Sequence, residues 1–251
     1  MCSRRRVCAT AISVGAFLLC CILAVVTGRA RAGDDEDARI MLVFGQDLWR
    51  NGVFGYGGFV WAPWGFDRDG LLLKILFSNG LYHYDSGNLG GERVTGTELL
   101  LGIMPGWRFK RGDAEFKVFF GPEIQRHRLQ PDDPSNRLHG TSPGLRVAID
   151  LWHEPTPQTM IAADVSLSSI ATSNSARAAY GWRVLGEMLG GVYVGPEAQY
   201  FGSQGYRHLR FGAHITSMKT EDTEWSAGMG WARDSQGRTS PYVRLDVLKR
   251  L

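Results

Sequence analysis

Apolar and polar side chains alternate through residues 114–130, AEFKVFFGPEIQRHRLQ. One parity is apolar and the other polar; the apolar one holds Phe116, Val118, Phe120 and Ile124, and the polar one holds Glu115, Lys117, Glu123 and Gln125. Successive side chains of a β-strand point to opposite faces. The alternation therefore predicts a long strand with one apolar and one charged face.

The triplet Gly-Pro-Glu occurs in this segment at 121–123 and again at 195–197, within the shorter run GVYVGPEAQ. Proline removes a donor from the hydrogen-bond ladder of a sheet, so it is found at edges, bulges or strand ends. We interpret the two triplets as copies of one local structure in an antiparallel barrel.

Twelve segments in total have a strand-like pattern, separated by turn residues such as Asn51-Gly52. They cover residues 40–49, 53–62, 71–84, 92–109, 114–130, 145–151, 159–168, 175–185, 190–201, 206–216, 223–233 and 239–248. No stretch of useful length has the period of an amphipathic helix. The pattern predicts an all-β fold, an antiparallel up-and-down (meander) β-barrel of about 10–12 strands.

The apolar parity faces the core in a soluble β-domain but faces lipid in an outer-membrane barrel. Two features favour the membrane barrel: many segments are about ten residues long, enough for a tilted strand to cross hydrocarbon, and aromatic residues gather near segment ends. These aromatic residues are Trp49, Trp61, Trp64, Tyr82, Tyr84, Trp107, Phe109, Trp152, Tyr200, Tyr206 and Trp225. A soluble periplasmic β-scaffold is the alternative.

In a membrane barrel the polar parity lines the lumen. It contains eight acidic and seven basic residues: Asp47, Glu98, Glu115, Glu123, Asp150, Asp164, Glu197, Asp246, Lys74, Lys117, Arg146, Arg177, Arg183, Arg210 and Arg244. Charges of balanced sign at short range form ion pairs, whereas an ion-selective pore has one dominant sign. We therefore expect a narrow or occluded lumen rather than a wide diffusion channel.

Residues 1–32 have the pattern of a signal peptide. Three arginines precede an apolar stretch over residues 7–26, and Ala30-Arg31-Ala32 provides a cleavage site. A membrane anchor is the alternative, since the apolar stretch is nearly long enough to span. Cleavage would leave a single β-barrel domain over residues 33–251, exported to the outer membrane or, in the alternative, to the periplasm.

Removal of the predicted signal peptide would change the cysteine content and the net charge of the chain. This peptide contains all four cysteines, so the mature chain would have no disulfides and no thiolate metal site. It also holds five of the 28 Lys and Arg residues, which leaves 23 against 25 Asp and Glu. A slightly acidic mature chain does not indicate nucleic-acid binding.

Several short motifs together resemble the cellulose biosynthesis protein BcsS family. They are Gly45-Gln46-Asp47-Leu48-Trp49, Phe54-Gly55-Tyr56-Gly57-Gly58, Asp69-Gly70, Met104-Pro105-Gly106-Trp107-Arg108, Phe120-Gly121-Pro122-Glu123, Pro131-Asp132-Asp133-Pro134-Ser135-Asn136 and Val194-Gly195-Pro196-Glu197. The resemblance covers roughly residues 40–242. It implies an exported, non-enzymatic accessory of bacterial cellulose synthesis that assists secretion, anchoring or assembly of the glucan. The chain departs from outer-membrane barrels that end in an aromatic residue, since it ends in Leu251.

The expected partners are cellulose or another β-glucan, subunits of the cellulose synthase complex, and outer-membrane lipid; no cofactor and no metal ion are expected. Sugars stack on aromatic rings and bond to charged groups, so we predict glucan contacts. The candidate residues are Trp61, Trp64, Tyr82, Tyr84, Trp152, Glu123, Arg126, Asp132, Asn136 and Glu197. A structural interpretation instead assigns the tryptophans to a membrane-interface girdle and the two glutamates to ion pairs.

Catalysis is a weaker hypothesis. An outer-membrane enzyme acting on lipid or polysaccharide needs a nucleophile, a base and an acid. His127, His139, His208 and His214 are available, but none lies in a recognisable nucleophile motif. Asp132-Asp133 lies in a proline-rich loop, where aspartate commonly shapes turns. A calcium site there with Asn136 is a minor alternative, since the side-chain oxygens are fewer than calcium usually takes. We therefore expect no catalytic residues.

Overall fold

The computed structural model describes residues 38–184, 191–204, 206–220 and 222–251. The predicted signal peptide lies outside the described residues, as do the start of the predicted mature chain and residues 185–190. Within the described part of the chain, no helix is long and apolar enough to cross a membrane.

Twelve antiparallel strands form a closed barrel in which every strand pairs with its neighbours in sequence and β1 pairs with β12. The strands are β1 (Ile40–Trp49), β2 (Gly52–Trp61), β3 (Gly70–Ser86), β4 (Glu92–Arg111), β5 (Ala114–Gln130), β6 (Gly140–Thr156), β7 (Thr159–Ser168), β8 (Asn174–Val184), β9 (Val192–Ser203), β10 (Tyr206–Thr220), β11 (Thr223–Asp234) and β12 (Thr239–Arg250). The predicted meander barrel is confirmed, and it has an outer-membrane type of architecture.

The predicted strand at residues 145–151 is longer than expected. Strand β6 runs over Gly140–Thr156 and includes two prolines, Pro143 and Pro155. Pro143 lies on the outward face and still has a register partner, Ile124 on β5, whereas Pro155 lies where the register with β7 shifts. Pairing with the long strand β5 therefore extends β6 through residues whose local propensity indicates loop.

The two ends of the barrel differ in what they contain. One end, called the terminal end, holds the first residue of β1 and the last residue of β12, which lie side by side. The opposite end, called the far end, holds the connections after β1, β3, β5, β7, β9 and β11. The longest of these, residues 131–139, joins β5 to β6.

Alternation along the strands separates an outward apolar face from an inward face, as predicted. On β4, Leu99, Leu101 and Ile103 are exposed by 46–57%, whereas Leu100 and Met104 are nearly inaccessible. All fifteen charged residues assigned to the lumen lie on the inward parity of their strands. In a closed barrel whose inward face is charged and whose outward face is apolar, the outward face is suited to contact with lipid.

An apolar cluster occupies the lumen at the terminal end. Its buried members come from the start of β1, from β2 to β6 and from the β2–β3 loop: Ala38, Met41, Val60, Ala62, Phe66, Leu72, Met104, Phe119 and Ala148. A smaller cluster of Met160, Ala162 and Tyr193 packs with Trp152 in the same half of the barrel. Apolar side chains therefore occupy part of this half of the lumen.

The two Gly-Pro-Glu triplets do adopt the same structure. A Cβ atom at Gly121 would lie 2.1 Å from the carbonyl oxygen of Ile103, and one at Gly195 would lie 1.9 Å from that of Tyr180. At each site a neighbouring strand lacks regular pairing beside the proline, β4 next to Pro122 and β8 next to Pro196. The glycine permits close approach of two backbones, and the glutamate two positions later enters the lumen.

Candidate functional site

The lumen contains a cavity of about 1080 Å³ that follows most of the barrel length. Its lining includes Met41 and Trp152 in the terminal half and Asn88, Ser135 and Gln236 at the far rim. The volume lies near the upper end of the range of about 300–1,000 Å³ that is typical of ligand pockets. The cavity therefore has room for a short oligosaccharide.

Aromatic rings form two adjoining groups in the far half of this cavity. The first group is on β2 and β3, where Tyr82 stacks between Phe54 and Tyr84 at centroid distances of 6.4 and 6.3 Å. The hydroxyl of Tyr82 lies 3.1 Å from Nδ1 of His127, and His127 Nε2 lies 3.1 Å from Gln125 Oε1. These contacts fix the orientation of the Tyr82 ring.

The second group is on β1, β9 and β10. The His208 ring lies between Trp49 and Phe201, at centroid distances of 4.4 and 4.7 Å and with interplanar angles of 25° and 22°. Tyr206 lies beside this stack, 6.3 Å from Trp49. Neither ring nitrogen of His208 has a hydrogen-bond partner among the described residues. The residues of this second group line the same cavity as those of the first group.

Arg210 supports the second group from the terminal side. Its guanidinium donates to both carboxylate oxygens of Asp47, at 2.6 and 2.9 Å, across a sequence separation of 163 residues. It also lies over the rings of Phe201, Tyr242 and Trp49, at 4.7, 5.0 and 5.8 Å. A bidentate ion pair combined with cation–π contacts holds these rings in place.

Glu197 is the centre of the largest ion-pair cluster in the described lumen. Its carboxylate accepts hydrogen bonds from Arg177 at 2.9 Å, Arg244 at 3.0 Å, Tyr242 at 2.9 Å and Gln199 at 2.9 Å. Its side chain is fully buried. Both of its arginines line the cavity, whereas the carboxylate lies behind them.

Glu123 has a separate and smaller set of partners. It accepts hydrogen bonds from Arg146, at 2.6 Å, and from Ser168. Arg146 lines the cavity and Glu123 does not. The two Gly-Pro-Glu glutamates thus serve as structural counterions for lumen arginines, which agrees with the structural interpretation of these residues and not with direct glucan contact.

The β5–β6 loop folds over the far rim and is tied to β3 through Asp133. The Asp133 carboxylate accepts hydrogen bonds from Ser86 at 2.7 Å, Ser135 at 2.6 Å and Tyr84 at 3.0 Å. Asn136 in the same loop donates to the Tyr84 hydroxyl at 2.8 Å. The hydroxyl donors, those of Ser135 and Ser86 above all, hold the pKa of Asp133 below its ordinary value of 3.8.

Replacing Asp133 by Asn is expected to release this loop, because an amide cannot accept from all three hydroxyls as the carboxylate does. Trypsin should cut at Arg137 at least about tenfold faster, since several net hydrogen bonds that hold the loop are lost together. The matched control is Asp132→Asn, since Asp132 is exposed and pairs only at the surface with His139, 2.8 Å away. Equal cleavage of the two variants would contradict the assignment.

The depressed pKa of Asp133 also gives this contact a pH dependence. The carboxylate form is favoured by folding, so its contribution is complete above the ordinary value of 3.8. It decreases as the pH falls through the lower pKa of the folded protein. The protection of the loop amides against hydrogen exchange should therefore be constant from neutral pH to about 5 and should decrease in stronger acid.

The structure brings together only some of the residues predicted to contact glucan. Tyr82, Tyr84 and Asn136 meet at the far end of the cavity, and Trp152 lines its terminal half. Trp61 and Trp64 are exposed at the terminal end, where Trp64 contacts Trp107 at 6.3 Å. Those two tryptophans belong to the outside of the barrel.

Two predicted contacts lie away from the lumen for a simple reason. Arg126 and Glu123 are three residues apart on one strand, an odd separation, so Arg126 points outward. Asp132 lies in the β5–β6 loop with an exposed side chain. Neither residue lines the cavity.

The assignment of all end-of-strand aromatics to an interface girdle is corrected by the structure. Every end-of-strand aromatic residue that points inward has the same parity as a charged lumen residue on its own strand. Trp49, for example, has the parity of Asp47. The sequence alone therefore indicated that these rings face the lumen. Cavity-lining residues that the sequence pattern did not assign to the lumen also include Phe54 and Phe201. The end-of-strand aromatics that line the cavity are Trp49, Tyr82, Tyr84, Trp152 and Tyr206.

The histidines near the cavity make contacts that do not resemble a catalytic triad. His127 contacts Tyr82 and Gln125, and His214 contacts Thr216 Oγ1 at 2.8 Å and the carbonyl oxygen of Tyr180 at 3.1 Å. His208 is enclosed by aromatic rings. Within the described ranges, no group of three or more His, Cys, Asp or Glu side chains could hold a metal ion.

Comparison with known proteins gives a family for this architecture. The family model for the cellulose biosynthesis protein BcsS matches residues 42–251. No curated protein sequence matches the chain.

Solved structures give a likeness of fold. An outer-membrane channel from Pseudomonas putida F1 is 11% identical, with a TM-score of 0.56 over 89% of this chain and 100% of that chain. The β domain of the Bordetella autotransporter Brka is 11% identical, with a TM-score of 0.52 over 86% of this chain and 100% of that chain. At such low identity these likenesses show the outer-membrane type of barrel and nothing about ligands.

Proposed function

The chain belongs to the cellulose biosynthesis protein BcsS family, and we propose that it is a non-enzymatic outer-membrane barrel that holds a glucan segment in the far half of its lumen. Binding there would assist anchoring of the secreted polymer near the cell surface. The observation that carries this proposal is the pair of adjoining aromatic groups in one cavity, with Phe54, Tyr82 and Tyr84 in the first and Trp49 and Phe201 in the second.

The chemistry of the cavity suits a neutral sugar chain. Glucose rings present apolar faces, which pack on aromatic rings, and equatorial hydroxyls, which bond to side chains at their edges. Polar groups lie beside both aromatic groups, including Asn136 and Gln199 in the cavity wall. In the far half of the cavity, aromatic rings and polar side chains therefore lie within reach of the same ligand.

The charge distribution favours holding over conduction. Lumen arginines are neutralised by buried carboxylates, as in the pairs Arg146–Glu123, Arg210–Asp47 and Arg244–Glu197. The apolar cluster packs across the terminal half of the lumen. A polymer bound from the far end would meet aromatic rings first and then a terminal half that the apolar cluster narrows on its β1–β6 side.

The environment of the histidines supports a non-enzymatic role. His127 and His214 are engaged by Tyr, Gln and Thr side chains and by a backbone carbonyl. A hydrolase or transferase acting through a serine would need a base within hydrogen-bond reach of its hydroxyl. His208 is enclosed between Trp49 and Phe201, and aromatic rings around a cavity are an expected feature of a glycan-binding barrel.

The test is titration of the refolded barrel with cellohexaose, followed by tryptophan fluorescence, since Trp49 and Trp152 line the cavity. Saturable binding is expected. Tyr82→Ala should weaken it about tenfold or more, which corresponds to about 1.4 kcal/mol. Tyr82 is one of the best-positioned platforms, because it stacks with two neighbouring rings.

The matched control for this experiment is Trp64→Ala. Trp64 is also a large aromatic residue, but it is 53% exposed outside the barrel at the terminal end. Its replacement should leave cellohexaose binding unchanged. Absence of binding, or equal weakening by the two variants, would contradict a glucan site in the lumen, and turnover of the oligosaccharide would contradict the non-enzymatic role.

A further inference from the structure

Charges on the outside of the barrel are strongly biased in sign. Asp85 is the one acidic residue on the outward parity of the described strands, and it pairs with Arg93 at 3.2 Å and Arg238 at 3.0 Å. No ion pair within the described part of the chain involves a second set of arginines, which lie on the outward side at the far end. This set consists of Arg50, Arg126, Arg128, Arg207 and Arg233.

Two of these arginines form a compact group on β5. Arg126 and Arg128 are two residues apart, so both side chains leave the same face of the strand. Thr141 on β6 is the register partner of Arg126, and Thr97 on β4 is the register partner of Arg128. Two guanidinium groups and two hydroxyls, all hydrogen-bond donors, therefore share one outward patch. We call it the β5 arginine pair.

The other three arginines, Arg50, Arg207 and Arg233, lie on the opposite side of the far end. Arg233 lies two positions beyond Trp231 on the outward face of β11, and its register partner on β10 is Leu209. Leu209 is two residues from Arg207, so Arg207 and Arg233 are diagonal neighbours on one face. We call these three residues the β10–β1 arginine group.

Arg50 extends this group toward β1. It lines a shallow outer depression of about 460 Å³ together with Trp231, Leu48, Pro241 and Val243. Trp231 therefore lines the depression and also lies on the outward face of β11, two positions before Arg233. A cationic rim and an apolar floor therefore lie side by side on the outside of the barrel.

Both groups lie just beyond the apolar outward band. Arg126 follows Ile124, and Arg50 follows Leu48, both of which are exposed apolar residues. Like charges at this spacing repel one another, so an arrangement without carboxylates calls for an anion. The terminal end has a different outward belt, which consists of aromatic residues such as Trp107 and Phe109.

We propose that the β5 arginine pair and the β10–β1 arginine group bind phosphate groups of membrane lipids packed around the far end of the barrel. Guanidinium matches phosphate with two parallel hydrogen bonds and stays charged at all physiological pH values. The apolar floor of the outer depression, Leu48, Pro241 and Val243, suits the start of an acyl chain beside Arg50. This site is separate from the proposed glucan cavity, because its side chains point away from the lumen.

The test uses the refolded protein in neutral detergent, with bound lipids counted by native mass spectrometry. The probes are diphosphorylated lipid A and the same lipid after removal of both phosphates. The phosphorylated lipid is expected to bind at least about tenfold more tightly. Arg126→Gln combined with Arg128→Gln should weaken its binding about tenfold, and Arg50→Gln combined with Arg207→Gln and Arg233→Gln should do the same.

The matched control is Arg111→Gln. Arg111 is also an exposed arginine on the outside of the barrel, but it lies at the terminal end and is already paired with Asp69 at 2.6 Å. Its replacement should leave lipid binding unchanged. Equal binding of the two lipids, or unchanged binding by both sets of variants, would overturn the proposal. Displacement of the lipid by inorganic phosphate at equal concentration would also overturn it, by showing a general anion site.

Discussion

Replacing Glu197 by Gln is expected to lower the free energy of unfolding of the barrel by about 3 kcal/mol, the lower end of the usual cost of breaking a buried ion pair on one side. Arg177 and Arg244 would each lose one of two charged acceptors, at 2.9 and 3.0 Å, and would keep Asp164 and Asp246 respectively. The Tyr242 hydroxyl would also lose a carboxylate acceptor. The measurement is urea unfolding in lipid vesicles, followed by tryptophan fluorescence.

The control for Glu197→Gln is Glu154→Gln. Glu154 faces Arg183 at 3.5 Å, and both side chains are about one-third exposed. A solvated pair of this kind contributes less than about 1 kcal/mol. If the two variants lose equal stability, the Glu197 cluster does not contribute more than an ordinary solvated pair.

The strand architecture could be predicted from the sequence because a barrel wall obeys a purely local rule. Each residue faces inward or outward according to its parity, and charge marks the lumen side of β5 from Glu115 to Glu123, before Arg126 and Arg128 place charge on the outward face. Strand β2 is an exception, since Phe54, Tyr56 and Val60 point inward and glycines such as Gly55 and Gly57 lie on the outward parity. Apolar character alone therefore does not identify the lipid face of that strand.

The candidate site was only partly predictable. Tyr82, Tyr84 and Asn136 were identified, but the stack of Trp49, His208 and Phe201 was not. Its members come from three strands, β1 being far from the other two in sequence, and closure of the barrel between β1 and β12 brings them together. The ion pair that Arg210 makes across the closure has the same origin. Such contacts depend on the curvature and stagger of the closed sheet, which no local pattern specifies.

Arg126, which was predicted to contact glucan, lies outside the lumen for a different reason. Glu123 and Arg126 were both predicted to contact glucan because charged groups bond to sugars, whereas parity assigns them to opposite faces of β5. The same parity places Arg126 and Arg128 together outside, where they form the β5 arginine pair. A consistent use of alternation would have separated the lumen residues from the outer residues.

Replacing Gly121 by Ala is expected to prevent normal closure of the barrel between β4 and β5. The new Cβ atom would lie 2.1 Å from the carbonyl oxygen of Ile103 and 2.8 Å from Cα of Met104. These are backbone atoms of β4, which is paired with β3 at these positions and cannot rotate away as a flexible side chain can. We expect a loss of about 3 kcal/mol or more, at or above the upper end of typical overpacking costs.

The measurement for Gly121→Ala is the fraction of refolded protein that shows a heat-dependent shift on a gel, which reports a closed barrel, together with its urea unfolding curve. The matched control is Gly102→Ala on the neighbouring strand, where the new Cβ atom would have its nearest neighbours at 3.8 Å, an ordinary contact distance. That variant should fold normally. Gly195→Ala should behave like Gly121→Ala, because its Cβ atom would lie 1.9 Å from the carbonyl oxygen of Tyr180. Normal folding of both Gly121→Ala and Gly195→Ala would show that the two Gly-Pro-Glu triplets do not depend on close backbone approach.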